Sequence, residues 1–111
     1  MEIETSYYQQ KLEEYLQKAV EDRASDLFII AGGQVSYKVD GAIQSLSEEK
    51  IFPDQSKELI QALYAVAKRD IHKYELEGDD DFSFAIGGLA RFRVNSFRQR
   101  GSMAAVIRIV Q

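Results

Sequence analysis

Residues 89 to 110, LARFRVNSFRQRGSMAAVIRIV, leave few folding options. Apolar and polar side chains alternate on both sides of a break at Gln99 to Ser102, the period-2 pattern of half-buried strands. Ala90, Phe92 and Val94 alternate with Arg91, Arg93 and Asn95. Met103, Ala105, Ile107 and Ile109 alternate with Ala104, Val106, Arg108 and Val110. An antiparallel hairpin turning at Gln99 to Ser102 brings both apolar sets to one core, because a one-residue slip would bury the arginines. If Val94 faces Ile107, then Arg93 faces Arg108, and Arg91 shares their face two residues further along.

This hairpin carries five arginines, Arg91, Arg93, Arg98, Arg100 and Arg108, and no acid follows Asp81. Like charges directly opposite on a sheet are destabilising. Two readings follow. The face is solvated and compensated by acids from elsewhere in the chain, or it meets an anion, for which the guanidinium fork suits phosphate and carboxylate. Charge is unevenly spread. All 18 acidic and nine of the 14 basic residues precede residue 82, leaving −9 there and +5 after it. An acidic body with one basic face suits head-to-tail association better than general nucleic-acid binding, which favours a basic domain overall.

The rest of the chain reads as one domain of 111 residues, long enough to bury a core without staples. It has no cysteine, so no disulfide framework or thiolate metal site is available. Thr5 or Ser6 can cap a first helix to about Asp22, with Leu12, Tyr15, Leu16, Ala19 and Val20 as its apolar stripe. Leu27 to Ala31 reads as a buried strand, Val35 to Val39 as a second and Ala42 to Leu46 as a third. Asp40-Gly41 marks the hairpin between the latter two. A helix starts near Pro53 and buries Leu59, Ile60, Leu63, Tyr64 and Ala67, and a short one carries Ile71, Tyr74 and Leu76 to a cap at Gly78. Phe82, Phe84 and Ile86 form a strand leading into the arginine hairpin. The order predicts an α+β domain with a mostly antiparallel sheet of about six strands. The N-terminus has neither a basic region nor an apolar core, and no apolar run is long enough to span a membrane, so the chain reads as cytoplasmic.

No self-sufficient active site is legible. Gly32-Gly33 and Gly87-Gly88 lie between strands and no GxxxxGK[ST] occurs, so a phosphate cradle of that type is absent. Asp79 to Asp81 match no calcium loop and read as a solvated acidic turn. His72, the one histidine, sits on a short charged helix and reads as a surface residue.

Three stretches carry a resemblance: ASDLFIIAG at 24 to 32, KVDG at 38 to 41, and GDDDFSFAIGGLARFRVNSFRQRGSMAAVIRIV at 78 to 110. Their order and spacing resemble the N-terminal domain of the pilus retraction ATPases in the type II/IV secretion ATPase family. Phe28 stands where the family usually has His, and Gln34-Val35 where it has Pro-Pro. The resemblance implies that residues 1–111 form a PAS-like domain preceding a RecA-like ATPase domain that this chain does not include. It further implies a hexameric motor for type IV pilus retraction, twitching motility or type II secretion. Such a motor works at the inner membrane, through the pilus platform, with ATP and magnesium in the full-length ring.

For this chain alone the expectation is no enzymatic activity, no cofactor and no metal. Its partner would be the RecA-like domain of the adjacent subunit, whose ATP the domain's arginines reach. By motif position Arg93 and Arg108 match best, followed by Arg91, Arg98 and Arg100. The alternative is a small single-stranded nucleic-acid-binding module, with Phe92 or Phe97 as stacking platforms on the arginine sheet. A small-molecule sensor is a third reading, for which no cofactor-anchoring residue is evident.

Overall fold

The structure, a computed structural model, describes the backbone of residues 2–110 and the side chains of residues 7–110. Six strands form one antiparallel sheet, with three helices set against it. Helix α1 spans Glu2–Glu21, followed by β1 (Asp26–Ile29), β2 (Gln34–Val39) and β3 (Ala42–Lys50). Helices α2 (Pro53–Ala67) and α3 (His72–Glu77) follow, then β4 (Asp80–Ile86), β5 (Ala90–Gln99) and β6 (Ser102–Val110). The strand order is β3-β2-β1-β6-β5-β4. The two hairpin-built halves therefore join where β1 pairs antiparallel with β6. This is the expected α+β, PAS-like architecture.

Burial explains why the elements lie as they do. Leu12, Leu16 and Ala19 of α1, and Leu59, Ile60 and Leu63 of α2, are buried at helical spacing. They meet Leu27, Ile29, Val35, Phe92, Val94, Ala105 and Ile107 on one face of the sheet. Each fully buried large aliphatic or aromatic side chain contributes roughly 1.5–3 kcal/mol of transfer free energy. The three-residue loop Gly87–Leu89 and the two-residue turns are local. At Asp40-Gly41 and Arg100-Gly101 both residues have positive φ (51° and 82°, 53° and 83°), the backbone that a two-residue hairpin of this hand requires.

Some elements depart from the sequence reading. Helix α1 already runs from Glu2, so Thr5 and Ser6 lie inside it, and their side chains fall outside those described. Strand β3 continues to Lys50 rather than stopping at Leu46. It is an edge strand, where Glu48, Glu49 and Lys50 stay in water while the backbone pairs, and its register shifts between Gln34 and Ser36. Helix α2 begins at Pro53 as expected, with the Gln55 side chain accepting the Phe52 N–H at 2.7 Å. Leu76 does not join the core but is 74 % exposed, since α3 is too short to turn a second apolar residue inward beside Tyr74. Gly78 caps α3 with φ 84°.

The clearest correction concerns Asp80. It is not part of a solvated acidic turn but is 3 % exposed at the start of β4. Arg69 donates Nε–H to its Oδ2 (2.9 Å) and Nη2–H to its Oδ1 (2.8 Å). The Tyr64 hydroxyl donates to Oδ2 at 2.8 Å and lies 3.1 Å from the buried Ser96 hydroxyl. The Arg69 fork and the Tyr64 hydrogen bond hold the Asp80 carboxyl down at about 2, against the opposing effect of burial. Burial, with a contribution from Asp80, pushes the Tyr64 phenol well above its ordinary value. The Arg69 guanidinium also lies 4.8 Å from the Phe82 ring centre, closing the cluster from the solvent side.

Candidate functional site

The sheet face opposite the helices is uncovered, and the arginine hairpin contributes most of its centre. Arg93 pairs across the sheet with Arg108, and Val94 with Ile107, as the alternation predicts. Arg91 faces Val110 and Ala85 on the same side. All three arginines are exposed, whereas Phe92 and Val94 between them are fully buried. Arg98 and Arg100 are not brought to this group. They lie at the far end of the hairpin, five and seven residues from Arg93, roughly 17–23 Å along an extended strand. There Arg98 stands 5.7 Å from the Tyr74 ring centre, and Arg100 occupies the turn.

The junction of β1 with β6 supplies what the hairpin lacks. Asp26 sits directly across from Arg108, with its Oδ1 3.6 Å from the Arg108 Nε. One row across the open face therefore reads Lys38, Asp26, Arg108, Arg93, Ser83. Asp26, Asp81, Arg93, Asn95 and Arg108, with Val94 and Val106, line a shallow cavity of about 210 Å³. The arginine pair is thus partly compensated by an acid from the first half of the chain. In sequence Asp26 stands only within the ASDLFIIAG stretch, with no sign of its partner. Its position depends on β1 lying beside β6, a pairing of residues far apart in the chain.

Chemically, the cavity offers two guanidinium groups side by side, a donor array that fits phosphate oxygens. It offers no nucleophile–base pair. Among the described residues no group of three His, Cys, Asp or Glu could hold a metal ion. His72 is exposed. Phe92, one of the two rings considered for base stacking, is buried under the helices and presents no face to a ligand, while Phe97 is half-buried. No helix among the described residues is long and apolar enough to cross a membrane.

No family model matches the chain. Two proteins of Pseudomonas aeruginosa are similar to it. The type IV pilus ATPase PilU is 30 % identical over 91 % of this chain and 26 % of its own length. The type IV pilus retraction ATPase PilT is 32 % identical over 87 % of this chain and 28 % of its own. A crystal structure of the pilus retraction motor PilT with bound ADP matches in three dimensions, with a TM-score of 0.74 and 35 % identity over 88 % of this chain and 28 % of that one. This chain is homologous to the N-terminal domain of PilT-like secretion ATPases.

The PilT-like domain spans about a quarter of the length of these relatives. The Legionella pneumophila ATPase DotB shares the fold, with a TM-score of 0.73 at 20 % identity over 93 % of the chain and 29 % of its own. The departures at Phe28 and at Gln34-Val35 fall on β1 and on the entry to β2, where the strands form regardless. Phe28 is half-buried on the open face beside Val106, one row from the arginine pair.

Proposed function

We propose that this chain is the N-terminal regulatory and assembly domain of a hexameric ATPase motor, one that drives type IV pilus retraction or type II secretion from the cytoplasmic side of the inner membrane. The domain turns over no nucleotide itself. Arg93 and Arg108 contribute positive charge to ATP bound by the RecA-like domain of the neighbouring subunit, with Arg91 as the nearest auxiliary. The observation that carries this reading is the Arg93–Arg108 pairing on the uncovered face of the sheet. Two like charges held in register are costly unless an anion meets them. The relatives' names and the PilT–ADP structure support the motor and its nucleotide.

The fit to the ligand is partial and informative. Two guanidinium groups suit the terminal phosphate, where charge accumulates during phosphoryl transfer. The described residues provide no carboxylate set for magnesium and the sequence no phosphate-cradling loop. Both would be supplied by the ATPase domain. Trans-acting arginines contribute roughly 10³–10⁵ in rate in other nucleotide hydrolases. Arg93→Ala and Arg108→Ala should each reduce ATP turnover of the full-length motor by about 10³ or more. Arg→Lys should not rescue, because a point charge lacks the planar fork. Near-normal turnover in both alanine variants would refute the nucleotide role. A micromolar affinity of the isolated chain for ATP by calorimetry would refute its dependence on a neighbour.

A further inference from the structure

The cavity around Arg93 and Arg108 is also lined by Asp26 and Asp81, so its four formal charges cancel. A site built only to attract phosphate has no use for these carboxylates. Asp26 is the better defined of the two. Its side chain is only 15 % exposed, and its Oδ2 accepts the Ser25 hydroxyl at 2.7 Å, whereas the Arg108 side chain is 71 % exposed. The acid is largely enclosed and accepts a hydrogen bond, whereas most of the arginine lies in solvent.

We propose that Asp26 is a built-in competitor for the phosphate at this site. It engages Arg108 while no phosphate is presented and keeps the affinity for free phosphates low. The arginine pair is thereby reserved for a phosphate delivered on a neighbouring protein surface. This rests on the phosphate reading of Arg93 and Arg108 given above.

The opposite role, in which Asp26 orients Arg108 and so helps binding, fails on magnitude. An Nε–Oδ1 separation of 3.6 Å is beyond hydrogen-bonding range. Ion pairs with so exposed a partner fix geometry weakly. A fixed carboxylate about 4 Å from an incoming phosphate, by contrast, weakens binding roughly fivefold per unit of phosphate charge even at the dielectric of water. Opposition therefore outweighs orientation, and removing the charge of Asp26 should tighten phosphate binding.

The test uses the whole 111-residue chain and inorganic tripolyphosphate, titrated by NMR at low salt. Asp26→Asn keeps an oxygen for Ser25 and should bind at least fivefold tighter than the parent, with a gain that shrinks as salt rises. Asp26→Ser should give the same gain, so the outcome does not depend on one variant folding. Asp26→Glu should retain the weak affinity. Glu13→Gln, an equal charge change on exposed α1, should leave it unchanged. Unchanged or weaker binding in Asp26→Asn and Asp26→Ser, with binding still lost in Arg93→Ala, would overturn the competitor role and leave the phosphate site standing. Absence of saturable binding in the parent and both variants, or binding insensitive to Arg93→Ala, would overturn both.

Discussion

Arg69–Asp80 and Arg108–Asp26 join the same two side-chain types and share little else. Arg69 grips Asp80 with two hydrogen bonds of 2.8 and 2.9 Å, over a carboxylate with no exposed side-chain surface, and Tyr64 adds a third. Arg108 reaches Asp26 at 3.6 Å through one nitrogen, and most of its guanidinium remains in water. In the first pair the Asp80 carboxylate is enclosed by its donors, and it ties α2, through Tyr64, and the loop after α2, through Arg69, to the start of β4. The second leaves its donors available. A closed pair fixes a fold, while an open pair on an uncovered face can exchange its partner for a better anion.

That contrast can be broken most sharply at Asp80. Removing one partner from a buried pair is strongly destabilising, so Asp80→Ala should cost roughly 3 kcal/mol. In a domain of this size the melting temperature should fall by about 10–15 °C. A loss below about 1 kcal/mol in thermal or urea unfolding would show that the two pairs are energetically alike. Tyr64→Phe removes one donor to a buried carboxylate and should cost roughly 2 kcal/mol by the same measurement.

Acid acts on the closed pair as well. The folded Asp80 titrates near 2, below the ordinary carboxylate value of 3.8. Its contribution is therefore fully present above about pH 4 and disappears as pH falls through 2, amounting to roughly 2 kcal/mol. Urea unfolding of the parent between pH 4.5 and 2 should show this loss. Asp80→Ala should be less sensitive over the same window, and parallel curves for the two would contradict the assignment. The smallest effect belongs to the open pair. Arg108→Ala should change stability by less than about 0.5 kcal/mol, since exposed ion pairs contribute little and a facing like charge is removed as well. A larger loss would make Arg108 a structural residue.

How much of this was legible in sequence depended on distance along the chain. The β5–β6 register, including Arg93 opposite Arg108, followed from alternation across a short turn, because strand periodicity and turn length fix it locally. Helix α2 announced itself through Pro53 and its apolar stripe. Asp80 could not be read that way. Within three consecutive acids it looks solvated, and its partners Tyr64 and Arg69 lie on α2 and in the loop that follows it. Asp26 was hidden for the same reason, since only the β1–β6 junction brings it to Arg108. The end of β3 was missed because an edge strand needs no apolar face to stay paired.

The same junction imposes an order on synthesis. Strand β6 follows the other five strands of this sheet in the chain, yet it is flanked by β1 and β5 at the middle of the sheet. Leu27 must wait about 80 residues for Ile107, its neighbour across that seam, or roughly 4–16 s at ordinary translation rates. Until then one long side of β1 is an open edge, and Arg108 and Asp26 have not met. The nascent chain passes through that interval with its basic face unassembled, so the row from Asp26 through Arg108 to Arg93 is complete only once β6 joins β1.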